Sequence, residues 1–159
     1  MNPEYQKSLE KAVENERKNE KLVRSLKRKK DRQLDPVIHD LHEEVFQEID
    51  CLECANCCST TSPIFRDVDI KRLSKHLRIK EVAFIEQYLH RDDVGDYVLN
   101  SAPCPFLGGD NYCSVYDQRP GACRDYPHTN RKRQGQIMSL NLKNTLVCPA
   151  VARIFERLG

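Results

Sequence analysis

With 159 residues, 39% hydrophobic and 31% charged side chains and no tryptophan, the chain can build one domain with a thin core, so something besides apolar burial is expected to help hold it. No run approaches the ~20 consecutive apolar residues of a membrane-crossing helix, which excludes a span of that kind. The formal charge of +2 is uneven: residues 1–34 hold 11 Lys/Arg and 6 Asp/Glu of the chain's 26 and 24, leaving 15 and 18 for the rest, or +5 against −3. A basic arm of this kind could meet an acidic surface, but its mixed signs argue against a dedicated nucleic-acid arm.

Residues 4–34 lack Gly and Pro and are dense in Glu, Lys, Arg and Gln. They read as one long helix with a weak apolar stripe at Tyr5, Leu9, Ala12 or Val13, Leu22 and Leu26, broken between Val13 and Leu22. A solvated extension is the plain reading; a helix that docks an unknown protein partner is the sharper one. Asp35-Pro36 marks a new start, with Asp35 as N-cap and Pro36 in the first helical position. Val37, Ile38, Leu41, Val45, Phe46 and Ile49 then recur at helical spacing over about 36–50. After a Cys/Ser/Thr-rich loop, helices are expected over 67–78, capped by Asp67 or Asp69, and over 80–90. Residues 93–125 are punctuated by Gly and Pro and leave only short extended pieces such as 97–100. Alternation over Gln136–Leu142 predicts another strand, and a helix over 145–158 closes the chain.

Eight cysteines occupy Cys51, Cys54, Cys57, Cys58, Cys104, Cys113, Cys123 and Cys148. The N-terminus lacks the basic start and apolar stretch of a secretory signal, so the cytosol is the expected compartment, where thiols stay reduced. Metal ligation is then a better reading than disulfides. Thiolates bind zinc and iron–sulfur clusters, and short loops let backbone N–H groups point at the sulfurs. Zinc favours two CxxC pairs, and only the first block has that spacing. Three cysteines at successive two-residue gaps resemble the start of a ferredoxin-type run, and Cys104-Pro105 and Cys148-Pro149 add its closing dipeptide, which puts an iron–sulfur cluster slightly ahead of Zn²⁺. Adjacent Cys57 and Cys58 should diverge, so that one faces a second centre or is not a ligand.

The block Cys51-Leu52-Glu53-Cys54-Ala55-Asn56-Cys57-Cys58, with Pro103-Cys104-Pro105-Phe106-Leu107, the run from Cys113 through Arg119-Pro120-Gly121-Ala122-Cys123-Arg124 to Pro127, and a late Cys148, resembles the zinc- or iron-chelating CxxCxxCC family (the YkgJ-type cysteine-cluster proteins) over about residues 48–150. The resemblance implies chelation through these cysteines. Flagellin lysine methylases, considerably longer, are similar in their cysteine cluster and imply an iron–sulfur centre; the helix over 4–34 lies outside the resemblance.

Around the cysteines, Arg119 and Arg124 are candidates to neutralise an anionic centre or bind an anionic cofactor or substrate. Tyr116, Tyr126, Phe106 and Leu107 are expected to shield the site. His128 is the leading non-cysteine ligand candidate, although a hydrogen-bonding histidine is the simpler reading; His39 and His42 read as surface residues. No phosphate loop, HExxH or nucleophile–base spacing is recognisable. These readings combine into a mainly α chain with irregular cysteine-rich loops and short strands, a small α+β fold. Its single metal-centred domain covers 35–159, behind a charged helical extension over 1–34. The expected function is metal or cluster binding with a structural or redox role. The alternatives are a cluster-dependent methyl-transfer or redox enzyme, and a zinc-stabilised adaptor acting through the basic helix.

Overall fold

The computed structural model describes residues 1–159. In chain order it contains α1 (Pro3–Glu14), α2 (Glu16–Leu26), α3 (Asp31–Glu48), α4 (Cys51–Cys54), α5 (Asn56–Thr60), α6 (Asp67–Leu77), α7 (Glu81–Tyr88), β1 (Leu89–Arg91), β2 (Tyr97–Leu99), a 3₁₀ turn (Tyr116–Gln118), α8 (Gly121–Asp125), α9 (Gln134–Asn144) and α10 (Pro149–Leu158). The mainly helical architecture with two short strands is the one expected from the sequence. The chain gathers into two compact units, residues 1–54 with 127–159, and residues 55–126.

In the first unit, α1 starts where Asn2 Oδ1 accepts the Glu4 N–H at 2.9 Å and Pro3 occupies the first turn. Its buried face is Tyr5, Ser8 and Ala12; α2 buries Asn19, Val23 and Leu26. The single helix expected over 4–34 is therefore corrected to α1 and α2, followed by the start of α3. The first break falls at Asn15, where the apolar stripe fails: the Asn15 side chain and N–H both turn back to the Lys11 carbonyl.

Two apolar clusters form this unit's core. Val23, Leu26, Leu34, Ile38, Met138, Val151 and Phe155 make one, and Tyr5, Val45, Ile49, Ala150 and Ile154 the other.

Two sequence expectations fail here for identifiable reasons. Helix α3 begins at Asp31, with Pro36 inside it, rather than at residue 36. Asp35 does not cap its own helix. Its carboxylate accepts the N–H groups of Arg133 and Gln134, each at 2.8 Å, and so caps α9. The strand expected over Gln136–Leu142 is instead part of helix α9, which buries Gln134, Met138, Asn141 and Asn144 at helical spacing. Three of those four residues are polar, so apolar periodicity was blind to this face. Gln134 Nε2 donates to the carbonyls of His128 and Arg131, while its Oε1 accepts from Asn141. Those bonds offset the cost of burying the amides.

The second unit is built on Phe65, Ile70, Leu73, Phe84, Leu89, Leu99, Phe106 and Val115. Phe84, fully buried, lies 6.1 Å from Phe65, 5.1 Å from Tyr88 and 6.3 Å from Phe106 between ring centroids. Strands β1 and β2 pair antiparallel with Leu89 opposite Leu99. Gly95, at φ +89°, makes the connecting turn, a conformation that L side chains rarely adopt. At the start of α6, the Arg66 N–H donates to Asp69 Oδ2 at 2.9 Å, half of a capping box. Cys104 and Cys113 pack against the apolar cluster of this unit.

Candidate metal centre

None of the eight cysteines pairs as a disulfide. The boundary between the units falls just after Cys54, so the CxxCxxCC block contributes Cys51 and Cys54 to the first and Cys57 and Cys58 to the second. Ala55, at φ 45°, makes the left-handed step between α4 and α5.

In the second unit, the loop after β2 folds back on itself around two cysteines. The Cys104 N–H donates to the Cys58 carbonyl at 2.8 Å, the Leu107 N–H to the Cys104 carbonyl at 3.0 Å, and the Ser114 N–H to the Phe106 carbonyl at 2.8 Å. Leu107 and Cys113 form an antiparallel bridge. This folding turns N–H groups toward sulfur: those of Phe106 and Leu107 reach Cys104, and that of Val115 reaches Cys113. A neutral thiol is a poor acceptor, and a thiolate is a good one. Backbone donors aimed at sulfur are the expected surroundings of a ligating cysteine.

The electrostatics of the group are mutual. Burial pushes the Cys104 and Cys113 thiols above the ordinary range; the N–H groups oppose the rise, and negative charge on neighbouring cysteines adds to it. Cys123, on α8, is pushed up to about 12, chiefly by burial and then by the charges of Cys58, Cys104 and Cys113. Cys58 moves the other way, down to about 7, because the Cys57 thiol hydrogen-bonds to it more strongly than burial opposes. Several of these sulfurs can be thiolates together only when a cation offsets their repulsion.

The Cys57 and Cys58 sulfurs stand 4.0 Å apart. The expectation that these neighbours diverge is therefore corrected. The separation is close to the edge of about 3.8 Å of a sulfur tetrahedron built on zinc–sulfur bonds of about 2.3 Å.

Of the two candidate arginines, Arg119 acts on this group. The Arg119 guanidinium stacks 3.8 Å above the Tyr116 ring, donates to the Tyr116 carbonyl at 2.9 Å, and its charge lowers the Cys113 and Cys123 thiols. Arg124 is exposed on α8. Tyr116 is half exposed beneath Arg119 rather than shielding the sulfurs, whereas Phe106 is core and Leu107 is half-buried.

Sequence reasoning assigned Asp69 only a capping role and passed over Arg72. The buried Asp69 also accepts the Gly121 N–H at 3.1 Å and the Arg72 guanidinium at 2.8 Å, while Arg72 donates to the carbonyls of Gln118 and Arg119. Together they fasten the segment that delivers Arg119 and Cys123. The only trace in the sequence is the i, i+3 spacing of two charged residues on α6.

In the first unit, Cys148 occupies the N-cap position of α10 without a side-chain cap hydrogen bond, and the N–H groups of Val151 and Ala150 favour its thiolate. Burial pushes it up to about 12 against those donors, and the charges of Cys51 and Cys54 add to the rise. His39 and His42 are not surface residues as expected. His39 Nε2 donates to the Arg131 carbonyl at 2.8 Å and His42 Nδ1 meets Thr129 Oγ1 at 2.7 Å, both half-buried. His128 adopts φ 71° and its carbonyl is held by Gln134.

The donor chemistry therefore fits a thiophilic metal. No three His, Cys, Asp or Glu side chains are already arranged to hold an ion, so the sulfurs are grouped but not closed around a point. Two charged or polar surface depressions lie along α1 and α10, the larger lined by Glu4, Lys11, Glu48, Arg153, Glu156 and Arg157, and no cysteine borders either. No helix is long and apolar enough to cross a membrane.

Residues 50–148 match the model of the CxxCxxCC family, described as a "Putative zinc- or iron-chelating domain". No curated protein and no solved structure matches the chain. With well over half of its length and all eight cysteines inside the matched region, the chain belongs to the CxxCxxCC family.

Proposed function

We propose that this protein chelates iron or zinc through the thiolates of its second unit, drawn from Cys57, Cys58, Cys104, Cys113 and Cys123, with a structural or redox role. The observation that carries the reading is the set of backbone N–H groups aimed at the sulfurs of Cys104 and Cys113, beside cysteines whose charges oppose one another. Bound metal would supply the positive charge that lets these thiols ionise together. The chain's own part is to hold Cys104 and Cys113 on a folded-back loop, to present Cys123 on α8, and to place the Arg119 cation beside them. The closing of the sulfurs belongs to the binding step.

The 4.0 Å separation of the Cys57 and Cys58 sulfurs favours a single tetrahedral ion, zinc first. An iron–sulfur cluster is the second reading, favoured by the successive two-residue spacing of Cys51, Cys54 and Cys57. Anaerobic purification with quantification of iron, acid-labile sulfide and zinc, and a visible spectrum, tests both. Stoichiometric zinc in a colourless protein supports the first; iron with matching sulfide and a broad visible band supports the second. A chain that binds neither metal after reduction and reconstitution refutes chelation.

A further inference from the structure

The mixed charges of the N-terminal segment separate once the chain is folded. Residues 17–30 hold eight Lys/Arg and one acid, Glu20, and residues 127–147 hold four Lys/Arg and no Asp or Glu. The two segments meet in the first unit. Val23 and Leu26 of α2 share an apolar cluster with Met138 of α9, and Lys27 Nζ donates to Ser139 Oγ. On α2 and the turn that follows it, Arg17, Lys21, Arg24 and Arg28 recur at i, i+4, i+7 and i+11. They form one exposed stripe on the side turned away from buried Asn19, Val23 and Leu26. Glu16 and Glu20 fall on the line of Val23 and Lys27 instead.

The carboxylates nearest this stripe serve the backbone of α9. Asp35 accepts the N–H groups of Arg133 and Gln134, and Asp31 Oδ1 faces Gly135, where a Cβ would lie 3.2 Å from it. Those contacts hold the exposed Arg131, Lys132 and Arg133 against the start of α3, directly after the basic turn over 27–30. Along α1 and α10 the cations are matched: Lys11, Arg153 and Arg157 pair with Glu156, Glu4, Glu48 and Glu44. None of the twelve cations of 17–30 and 127–147 has an ion-pair partner.

We infer that the exposed face of α2, with the start of α9 beside it, binds the phosphate backbone of a nucleic-acid duplex without reading its sequence. This is independent of the chelation reading. Unpaired cations gathered on one face are what a regular array of phosphates neutralises. Helix α2 and its following turn expose no large apolar or aromatic side chain. The face therefore lacks the rings on which unpaired bases stack and the apolar anchors at the centre of a protein interface. It also has nothing to insert into a membrane, because Val23 and Leu26 are already in the core. The stripe extends for about 16 Å at about 1.5 Å per residue, and four phosphate contacts set a slope of log affinity against log salt of about −3.6.

The test is fluorescence anisotropy of the full-length protein with short labelled DNA duplexes of two unrelated sequences and a duplex RNA, over a salt series. The two DNA sequences should bind alike, with the salt slope given above; binding of either kind of duplex supports the inference, and the comparison shows which is preferred. Arg24→Glu with Arg28→Glu should weaken binding about 10–100-fold at about 0.1 M salt and flatten the slope by about 2, whereas Arg24→Lys with Arg28→Lys should keep both. Lys132→Glu with Lys143→Glu should also weaken it, and carries the test if circular dichroism shows the first variant misfolded. Lys71→Glu with Lys75→Glu makes the same change of charge at exposed positions of α6 and should bind as the parent does.

A parent protein that binds no duplex overturns the inference. So does an equal loss in the α6 variant, which would trace binding to net charge rather than to this face. Polyglutamate that competes as well as duplex DNA of equal charge would assign the face to an acidic polypeptide and overturn it too. None of these results touches the chelation reading.

Discussion

Replacing Asp69 by Ala tests the bond network that presents Cys123 and Arg119. Asp69 is 2% exposed and accepts from the Arg66 N–H, the Gly121 N–H and the Arg72 guanidinium. All three bonds end on a charged carboxylate, and at about 1.5–3 kcal/mol each they give a gross loss of about 4.5–9 kcal/mol. Arg66 is exposed, and Arg72 keeps the carbonyls of Gln118 and Arg119, so water and those partners recover part of it. The expected net cost is about 2–4 kcal/mol, a drop in melting temperature of about 10 °C or more for a unit of this size.

The pH dependence gives an independent check. Burial works against the Asp69 charge, but the Arg66 N–H, the Arg72 guanidinium and the Gly121 N–H outweigh it and hold the carboxyl below the usual range. A depressed carboxylate contributes its stability above the unfolded value of about 3.9 and loses it as pH falls through the folded value. The gap between parent and Asp69→Ala should therefore be widest near neutral pH and close below about pH 4. Urea titration of the metal-free, reduced protein, followed by circular dichroism, measures it. An unchanged midpoint at pH 7, or a gap that stays constant down to pH 3, would refute the reasoning.

Asp35→Ala removes the acceptor for the first two N–H groups at the start of α9 and should cost about 1–2 kcal/mol in chemical denaturation; an unaltered midpoint would remove Asp35 from that role. Phe84→Ala empties the centre of the second unit's core and should cost about 3–5 kcal/mol. Because Cys104 and Cys113 pack on the same cluster, retained zinc should fall with it, and a variant that keeps both its midpoint and its metal would show the loop to be independent of Phe84. Under the chelation reading, the melting temperature should rise with free metal concentration as binding to the folded state alone requires, and fall on addition of a chelator. A midpoint indifferent to both would count against a folding role for the ion.

How much of this was legible in the sequence depended on whether the signal was local and apolar. Helix α6 was found because Ile70, Leu73 and Leu77 recur at helical spacing, and α7 because Val82, Ala83, Ile85, Tyr88 and Leu89 lie on or near one face, although Phe84, which the structure buries, was passed over. Helix α9 was missed because its buried face carries amides that hydrogen-bond one another, which no apolar pattern records. Asp35-Pro36 misled for a related reason. The dipeptide looks like a helix start, yet the carboxylate is used 98 residues away at Arg133, and Pro36 sits a turn and a half into a helix begun at Asp31. The cysteines were legible as ligand candidates but not as groups, because spacing records distance along the chain. Cys54 and Cys57, with only Ala55 and Asn56 between them in sequence, belong to different units.

The thiols influence one another within each unit: Cys51 and Cys54 raise Cys148, and Cys58 raises Cys104, Cys113 and Cys123. The chain spends backbone N–H groups on Cys104, Cys113 and Cys148 in both units, and these donors reward a thiolate more than a thiol. Burial and like charge oppose that outcome strongly enough to hold Cys123 and Cys148 up to about 12. Donors that favour the anion, in surroundings that penalise it, make sense when a cation is part of the folded state. Arg119 supplies one positive charge to Cys113 and Cys123. One guanidinium cannot neutralise four thiolates, and under the chelation reading a metal bonded directly to the sulfurs would supply what is missing.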